Sequence, residues 1–173
     1  MIEPAPHELS RTAFIAKFGR IYEHSPWVAE TLYDQGLSKN DSDPKKLSER
    51  MVTIVDAAGD ERQMALLCAH PELAGKLAMS GSLTAESKAE QASARLDQCS
   101  AEEFAEFKNL NQRYQKTFGH PFIIAVRVRN RTKILAAFRE RVNHSAQGEF
   151  RTALAEVHII AKLRLDQLAA GKG

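Results

Sequence analysis

Cysteine is scarce in this chain: two residues in 173, Cys68 and Cys99, with no partner spacing between them. That excludes a disulfide framework and a Cys-x-x-Cys metal or redox site, and both are expected to pack as small buried or half-buried hydrophobes in a reducing compartment. Long apolar runs are missing too. The longest, Phe122-Ile123-Ile124-Ala125-Val126, falls far short of the roughly 20 residues that span a bilayer, so no membrane partner is expected. Charge of one sign is also absent, since 24 Lys plus Arg face 22 Asp plus Glu for a net +2. A chain so balanced offers no broad basic surface to neutralise phosphates, which argues against nucleic acid as a partner. There is no Gly-rich phosphate loop, no His-x-x-x-His and no Gly-x-Ser-x-Gly. The six histidines, His7, His24, His70, His120, His144 and His158, lie far apart, and none has an ordinary ligand three or four residues on. No metal and no cofactor are expected.

What is present reads as a globular helical protein. Hydrophobic residues make up 43% and charged residues 27%, close enough to the globular average to exclude wholesale disorder. The length fits one domain, residues 1–173, with a sizeable core. The opening MIEPAPHELS carries acid and proline before any apolar stretch, unlike a secretory signal, and the closing Gly171-Lys172-Gly173 is no peroxisomal address. A cytoplasmic location is the resulting expectation.

Helical spacing dominates the pattern. Phe14, Phe18, Ile21 and Tyr22 share one face; Ser25 caps and Pro26 opens a helix carrying Trp27, Val28 and Leu32. Gly36 to Pro44 is a loop, followed by a stripe of Leu47, Met51, Ile54, Val55 and Ala58. Asp60 with Gln63 has capping-box spacing ahead of Met64, Leu67 and Cys68. Pro71 ends that helix, because the residue before proline is pushed out of the α region, and leaves His70 projecting at its end. Ser80-Gly81-Ser82 marks another break. Ser87 to Glu90 and Ser100 to Glu103 both fit capping boxes. The second opens a long helix with Phe104, Phe107, Leu110 and Tyr114, closed by Gly119 and Pro121. Asn130 caps a helix through Ile134, Leu135, Phe138 and Val142, and a last helix from about Phe150 carries Leu154, Val157, Ala161, Leu165 and Leu168. Phe122 to Val128 alone looks like a strand. With no pairing partner elsewhere, it is expected as a buried extended segment or irregular helix. The fold class is all-α, a single compact domain of six to eight helices.

Short motifs in fixed order carry more than the periodicity does. Phe18-Gly19 with Glu23-His24-Ser25-Pro26-Trp27 comes first, then His70-Pro71-Glu72-Leu73-Ala74-Gly75-Lys76 and Ser87-Lys88-Ala89-Glu90-Gln91. Phe118-Gly119-His120-Pro121-Phe122-Ile123-Ile124-Ala125-Val126-Arg127 follows, and Ala153-Leu154-Ala155-Glu156-Val157 and Leu163-Arg164-Leu165 close the series. Together these resemble the 2-oxo-4-hydroxy-4-carboxy-5-ureidoimidazoline (OHCU) decarboxylases, from about Phe14 to Leu165. The resemblance implies an all-helical homodimer that needs no metal or organic cofactor and turns a small ureidoimidazoline into (S)-allantoin, the last step of urate degradation. It also implies His70 and Glu90 as catalytic residues. Substrate contacts fall, by the same resemblance, on Pro71, Ser87, Gln91, Phe122, Ile123, Ile124, Ala125, Val126 and Arg164. The sequence departs from the family pattern at Arg95 and Val128, each where glycine is common.

The chemistry suits those residue types. Decarboxylation leaves an electron pair on carbon, and the substrate's own conjugated ring can take it as an enolate-like species. The protein then has to orient the ligand, stabilise negative charge and deliver a proton to one face. Histidine donates near neutral pH, and a nearby carboxylate orients it, which pairs His70 with Glu90. Arg164 can offer a fork to the substrate's carboxylate or ureido oxygen, and backbone N–H groups near Ile123 and Val126 can bind ring and ureido groups. Structural readings stand beside these. Glu90 fits a helix cap, Arg164 a solvated position, and Phe122 to Val126 plain core; His120 is a site neighbour by position, and His24 packs or caps near Trp27. A helical interaction or regulatory domain and a lyase for another ureide are the rival functions.

Overall fold

A computed structural model describes residues 1–73 and 99–171. Among them are seven α-helices and no strand: α1 (Arg11–Phe18), α2 (Trp27–Asp34), α3 (Pro44–Asp56), α4 (Asp60–Cys68), α5 (Ala101–Phe118), α6 (Arg131–Arg141) and α7 (Ala146–Ala169). Three short 3-10 turns accompany them at Pro6–Glu8, Lys39–Ser42 and Val126–Val128. The fold is all-α, as its sequence predicts.

Local chemistry sets most of the ends. Ser10 Oγ accepts from the Ala13 N–H at the start of α1, and Asn130 Oδ1 from the Lys133 N–H at the start of α6. Ser100 and Glu103 close a reciprocal capping box on α5. At its other end α5 stops on Gly119, whose φ of 76° lies in the left-handed region that a Cβ disfavours.

Several ends and faces differ from the pattern reading. Asp60 and Gln63 form no capping box; Gly59 occupies the cap of α4, and Gln63 turns inward. Its Nε2 donates to the Val55 and Asp56 carbonyls at 2.9 and 3.1 Å. Those carbonyls lie at the end of α3, where the regular helical donors run out, and the buried amide supplies a partner there. The α2 cap is Pro26, one residue later than Ser25, and α7 begins at Ala146, four residues before Phe150. Cys68 is exposed. His24 is exposed too, at φ 50°, and it is Arg62 that lies over the Trp27 ring, 4.2 Å from its centroid. On α5 Phe104 faces outward, and the buried stripe runs through Phe107, Asn111, Tyr114 and Phe118.

The chain divides into two compact units: Met1–Ala69 with the chain from Val157 onward, and His70–Glu156. In the first, α1 packs on α2 and α2 on α3, burying Phe14, Phe18, Leu32, Leu47, Met51 and Val55. In the second, Leu73, Phe107, Tyr114, Phe118, Phe122, Ile124, Val126, Ile134, Leu135, Phe138 and Val142 form one core. Burying a side chain of this size stabilises by about 1.5–3 kcal/mol, so that core organises everything attached to it. Phe122 stacks on Phe138 with centroids 3.8 Å apart and planes 9° from parallel.

Candidate active site

His70 follows Ala69, the C-cap of α4, and precedes Pro71. It is buried, with 8% of its surface exposed, and Pro71 is half-buried. Three residues later Leu73 enters the same core as Phe122, Ile124 and Val126. Asn111 on α5 fixes the segment there, since its Nδ2 donates to the Leu73 carbonyl at 2.8 Å. Through Leu73, the segment that follows His70 is thus anchored in the core that also takes Phe122, Ile124 and Val126.

Phe122 to Ala125 is extended, runs into the 3-10 turn at Val126, and is buried throughout. Among the described residues no strand lies beside it, and buried backbone groups without partners are costly. Side chains supply the partners. Arg141 Nη1 donates to the Ile123 carbonyl at 2.8 Å. Glu156 Oε2 accepts the Ala125 N–H at 2.8 Å, and Arg129 Nη1 donates to the Ala125 carbonyl at 3.0 Å. Arg129 also grips Glu156 through two bonds of 2.9 and 2.7 Å, the bidentate geometry that suits a guanidinium and a carboxylate.

Arg141 is held in turn by Glu149, which is fully buried. Its Nε donates to Glu149 Oε1 at 2.9 Å, Nη2 donates to the same oxygen, and so does the Tyr114 hydroxyl. His144 Nδ1 lies 2.8 Å from the other oxygen, Oε2. Burial first, and the bond to Glu149 second, push the Tyr114 hydroxyl well above its ordinary pKa, so it remains a donor. The Arg141 guanidinium also lies over Phe122, 4.5 Å from the ring centroid. His120, buried against Tyr114 and Phe118, has its pKa lowered by burial. Its Nδ1 sits 3.0 Å from the Pro121 carbonyl, which can only accept, so this nitrogen carries the proton.

Arg164 belongs to the first unit and is buried, which excludes the solvated reading. Its Nη2 donates to Glu23 Oε2 at 2.8 Å, and Nη1 reaches the Arg20 and Ile21 carbonyls at 3.2 and 3.5 Å. Ser87, Glu90 and Gln91 lie outside the described residues, as do Arg95 and the break at Ser80-Gly81-Ser82. Val128 is exposed at the end of the 3-10 turn. Among the described residues no group of three or more His, Cys, Asp or Glu is assembled to hold a metal ion, and no helix is long and apolar enough to cross a membrane.

The family model for OHCU decarboxylase matches residues 7–166. The chain belongs to the OHCU decarboxylase family. A 2-oxo-4-hydroxy-4-carboxy-5-ureidoimidazoline decarboxylase from Haloferax volcanii is 45% identical over 159 residues, covering 92% of this chain and 90% of its own. The crystal structure of an (S)-allantoin synthase matches 94% of this chain at 33% identity with a TM-score of 0.74; this chain spans 52% of that one, about half its length. A crystal structure of OHCU decarboxylase in the presence of (S)-allantoin shares the fold, at 23% identity and a TM-score of 0.66, over 83% of this chain and 91% of that one.

In this member of the OHCU decarboxylase family the pattern reading missed the residues that fix the Phe122–Val126 backbone. Arg141, Arg129 and Glu156 act on that backbone directly, with Glu149 and Tyr114 behind Arg141, and Asn111 plays the like part at the Leu73 carbonyl; the pattern reading gives none of them this role. Most leave a signal. Glu149 and Glu156 sit seven residues apart in register with Ala153 and Ile160, so α7 carries two carboxylates on its buried stripe. Arg141 continues the Ile134–Phe138 stripe, and Asn111 that of Phe107 and Tyr114. A charged or amide side chain where helical spacing demands an apolar one marks a buried polar partner.

Proposed function

We propose that this chain decarboxylates 2-oxo-4-hydroxy-4-carboxy-5-ureidoimidazoline to (S)-allantoin, without a cofactor, at a site centred on His70. Family membership across residues 7–166 supports the reaction. The observation that supports the site is that Leu73, three residues after His70, shares one core with Phe122, Ile124 and Val126. A buried, extended stretch whose backbone is already held by Arg141, Glu156 and Arg129 is preorganised, and it needs little rearrangement to bind a planar ligand.

In this reading the C–CO2 bond breaks and its electron pair passes into the imidazoline ring. His70 donates a hydrogen bond to the developing oxyanion and guides a proton to one face of the carbanionic carbon. Glu90 orients His70, and Pro71, Ser87 and Gln91 contact substrate. Phe122, Ile123, Ile124, Ala125 and Val126 present backbone groups and an apolar wall, and Arg164, set by Glu23, pairs with the substrate carboxylate. Residues 1–173 act as one domain, the protein is a homodimer, and the reaction is cytoplasmic.

The test couples urate oxidase and the intervening hydrolase to this protein and follows allantoin by circular dichroism. Rapid appearance of (S)-allantoin is expected, whereas racemic product at the uncatalysed rate refutes the reaction. His70→Ala should lower kcat by about 10²- to 10⁴-fold, the usual contribution of a positioned acid–base group. A variant of full activity removes His70 from the site while leaving the family assignment intact.

A further inference from the structure

The peptide plane is rigid and trans, so a carbonyl and the N–H of the following residue point in opposite directions. Holding one therefore aims the other. Arg141 holds the Ile123 carbonyl at 2.8 Å, which turns the Ile124 N–H away from Arg141. Arg129 holds the Ala125 carbonyl at 3.0 Å, which likewise turns the Val126 N–H away from Arg129. Glu156 takes the Ala125 N–H at 2.8 Å and fixes the plane between them.

Neither arginine is free to drift. The Arg141 fork is set by Glu149, whose Oε1 also receives the Tyr114 hydroxyl, and Arg129 is locked by two bonds to Glu156. Each guanidinium thus spends part of its planar fork on a carboxylate and one N–H on a backbone carbonyl. A lysine ammonium, with one charged head on a flexible stem, cannot span both at those positions.

We propose that Arg141 and Arg129 are positioning residues for this site, aiming the Ile124 and Val126 N–H groups as a pair of donors at the oxygens of a urea-type ligand. The proposal rests on the reading that Phe122–Val126 contacts substrate. It narrows that contact to two amides and names the side chains that set them. Two donors on a fixed frame suit a planar ureide because neither has to reorganise as charge develops on the ligand.

The experiment uses the full chain, with isoleucine and valine labelled by nitrogen-15, and allantoin as the probe. In the wild type, allantoin is expected to shift the Ile124 and Val126 amide signals. Arg129→Lys and Arg141→Lys preserve charge against Glu156 and Glu149. Each is expected to raise KM and the allantoin Kd by on the order of tenfold, the effect of misaligning one hydrogen bond. Enantiomeric excess of the product should fall, and melting should change little in Arg129→Lys. If Arg141→Lys does not fold, the half-buried Arg129 carries the test alone. Wild-type amide shifts with lysine variants of unchanged KM, Kd and stereochemistry overturn the positioning role but spare the site. No wild-type shift at either amide refutes the substrate contact, and the positioning role falls with it.

Discussion

Replacing Arg164 by methionine keeps the unbranched apolar stem and removes the guanidinium. Glu23, with 2% of its surface exposed, then loses the cation 2.8 Å from its carboxylate, and the Arg20 and Ile21 carbonyls lose a donor. Removing one partner of a buried pair costs about 3–5 kcal/mol, chiefly because the surviving charge stays buried. At about 2–4 °C per kcal/mol for a chain of this size, Tm should fall by roughly 6–20 °C. Adding Glu23→Gln to Arg164→Met removes that charge at nearly constant shape, and the double variant should recover about 2 kcal/mol of the loss. Urea unfolding at pH 7.5 measures all four corners of the cycle. A single Arg164→Met variant within about 0.5 kcal/mol of wild type would refute the reasoning, because this is the range of ordinary surface substitutions.

The same cycle separates scaffold from substrate contact. A charge-assisted hydrogen bond to the ligand is worth about 1.5–3 kcal/mol, so KM should remain raised by at least about tenfold in the double variant although its stability has returned. If KM returned to the wild-type value together with stability, Arg164 would serve the Arg20–Glu23 turn and nothing else.

Two further outcomes follow from the cores. Burial lowers the pKa of both His120 and His158, so each binds its proton less readily when folded than when unfolded. Stability is therefore fully present above the ordinary histidine pKa of about 6.5 and is lost as pH falls below it toward the depressed folded values; urea midpoints from pH 8 to pH 5 should decline, and His120→Gln should flatten part of that decline. Phe138→Ala removes a fully buried ring stacked on Phe122 at 3.8 Å and should cost about 3–5 kcal/mol by urea unfolding; a cost below about 1 kcal/mol would mean that this core collapses around the gap.

What was legible in the sequence was whatever depends on near neighbours. Ser100, Gly119 and Asn130 mark helix ends because a cap needs partners only three or four residues away. The Phe122 stretch was readable as buried and unpaired, since no second strand pattern exists for it to join. Gln63 was misread because its true partners, the Val55 and Asp56 carbonyls, compete with the local cap and win by burial. Arg164 had no local solution at all: its carboxylate partner, Glu23, is 141 residues away. Within the proposed site, His70 and Phe122–Val126 rest on motif. The proposed His70–Glu90 pair involves a residue outside those described, and it stands on the family resemblance.

The polar groups around Phe122–Val126 raise a question that stability alone does not answer. Glu149 and Glu156 on α7, and Arg141 on α6, occupy positions where leucine would complete an apolar stripe. A buried ion pair is weak evidence for stability, and well-packed apolar replacements are often neutral or better. If stabilisation were the whole role, hydrophobic side chains would serve at least as well. They could not, however, hold the Ile123 carbonyl or the Ala125 N–H and carbonyl, for which the described residues offer no sheet. An all-helical fold that keeps one extended stretch in its interior must satisfy that backbone by side chains. The arginines that do so also fix which way its remaining amides face. The charges are therefore best understood through the direction they impose on the backbone, and direction is what the proposed stereospecific protonation would require of a substrate-holding surface.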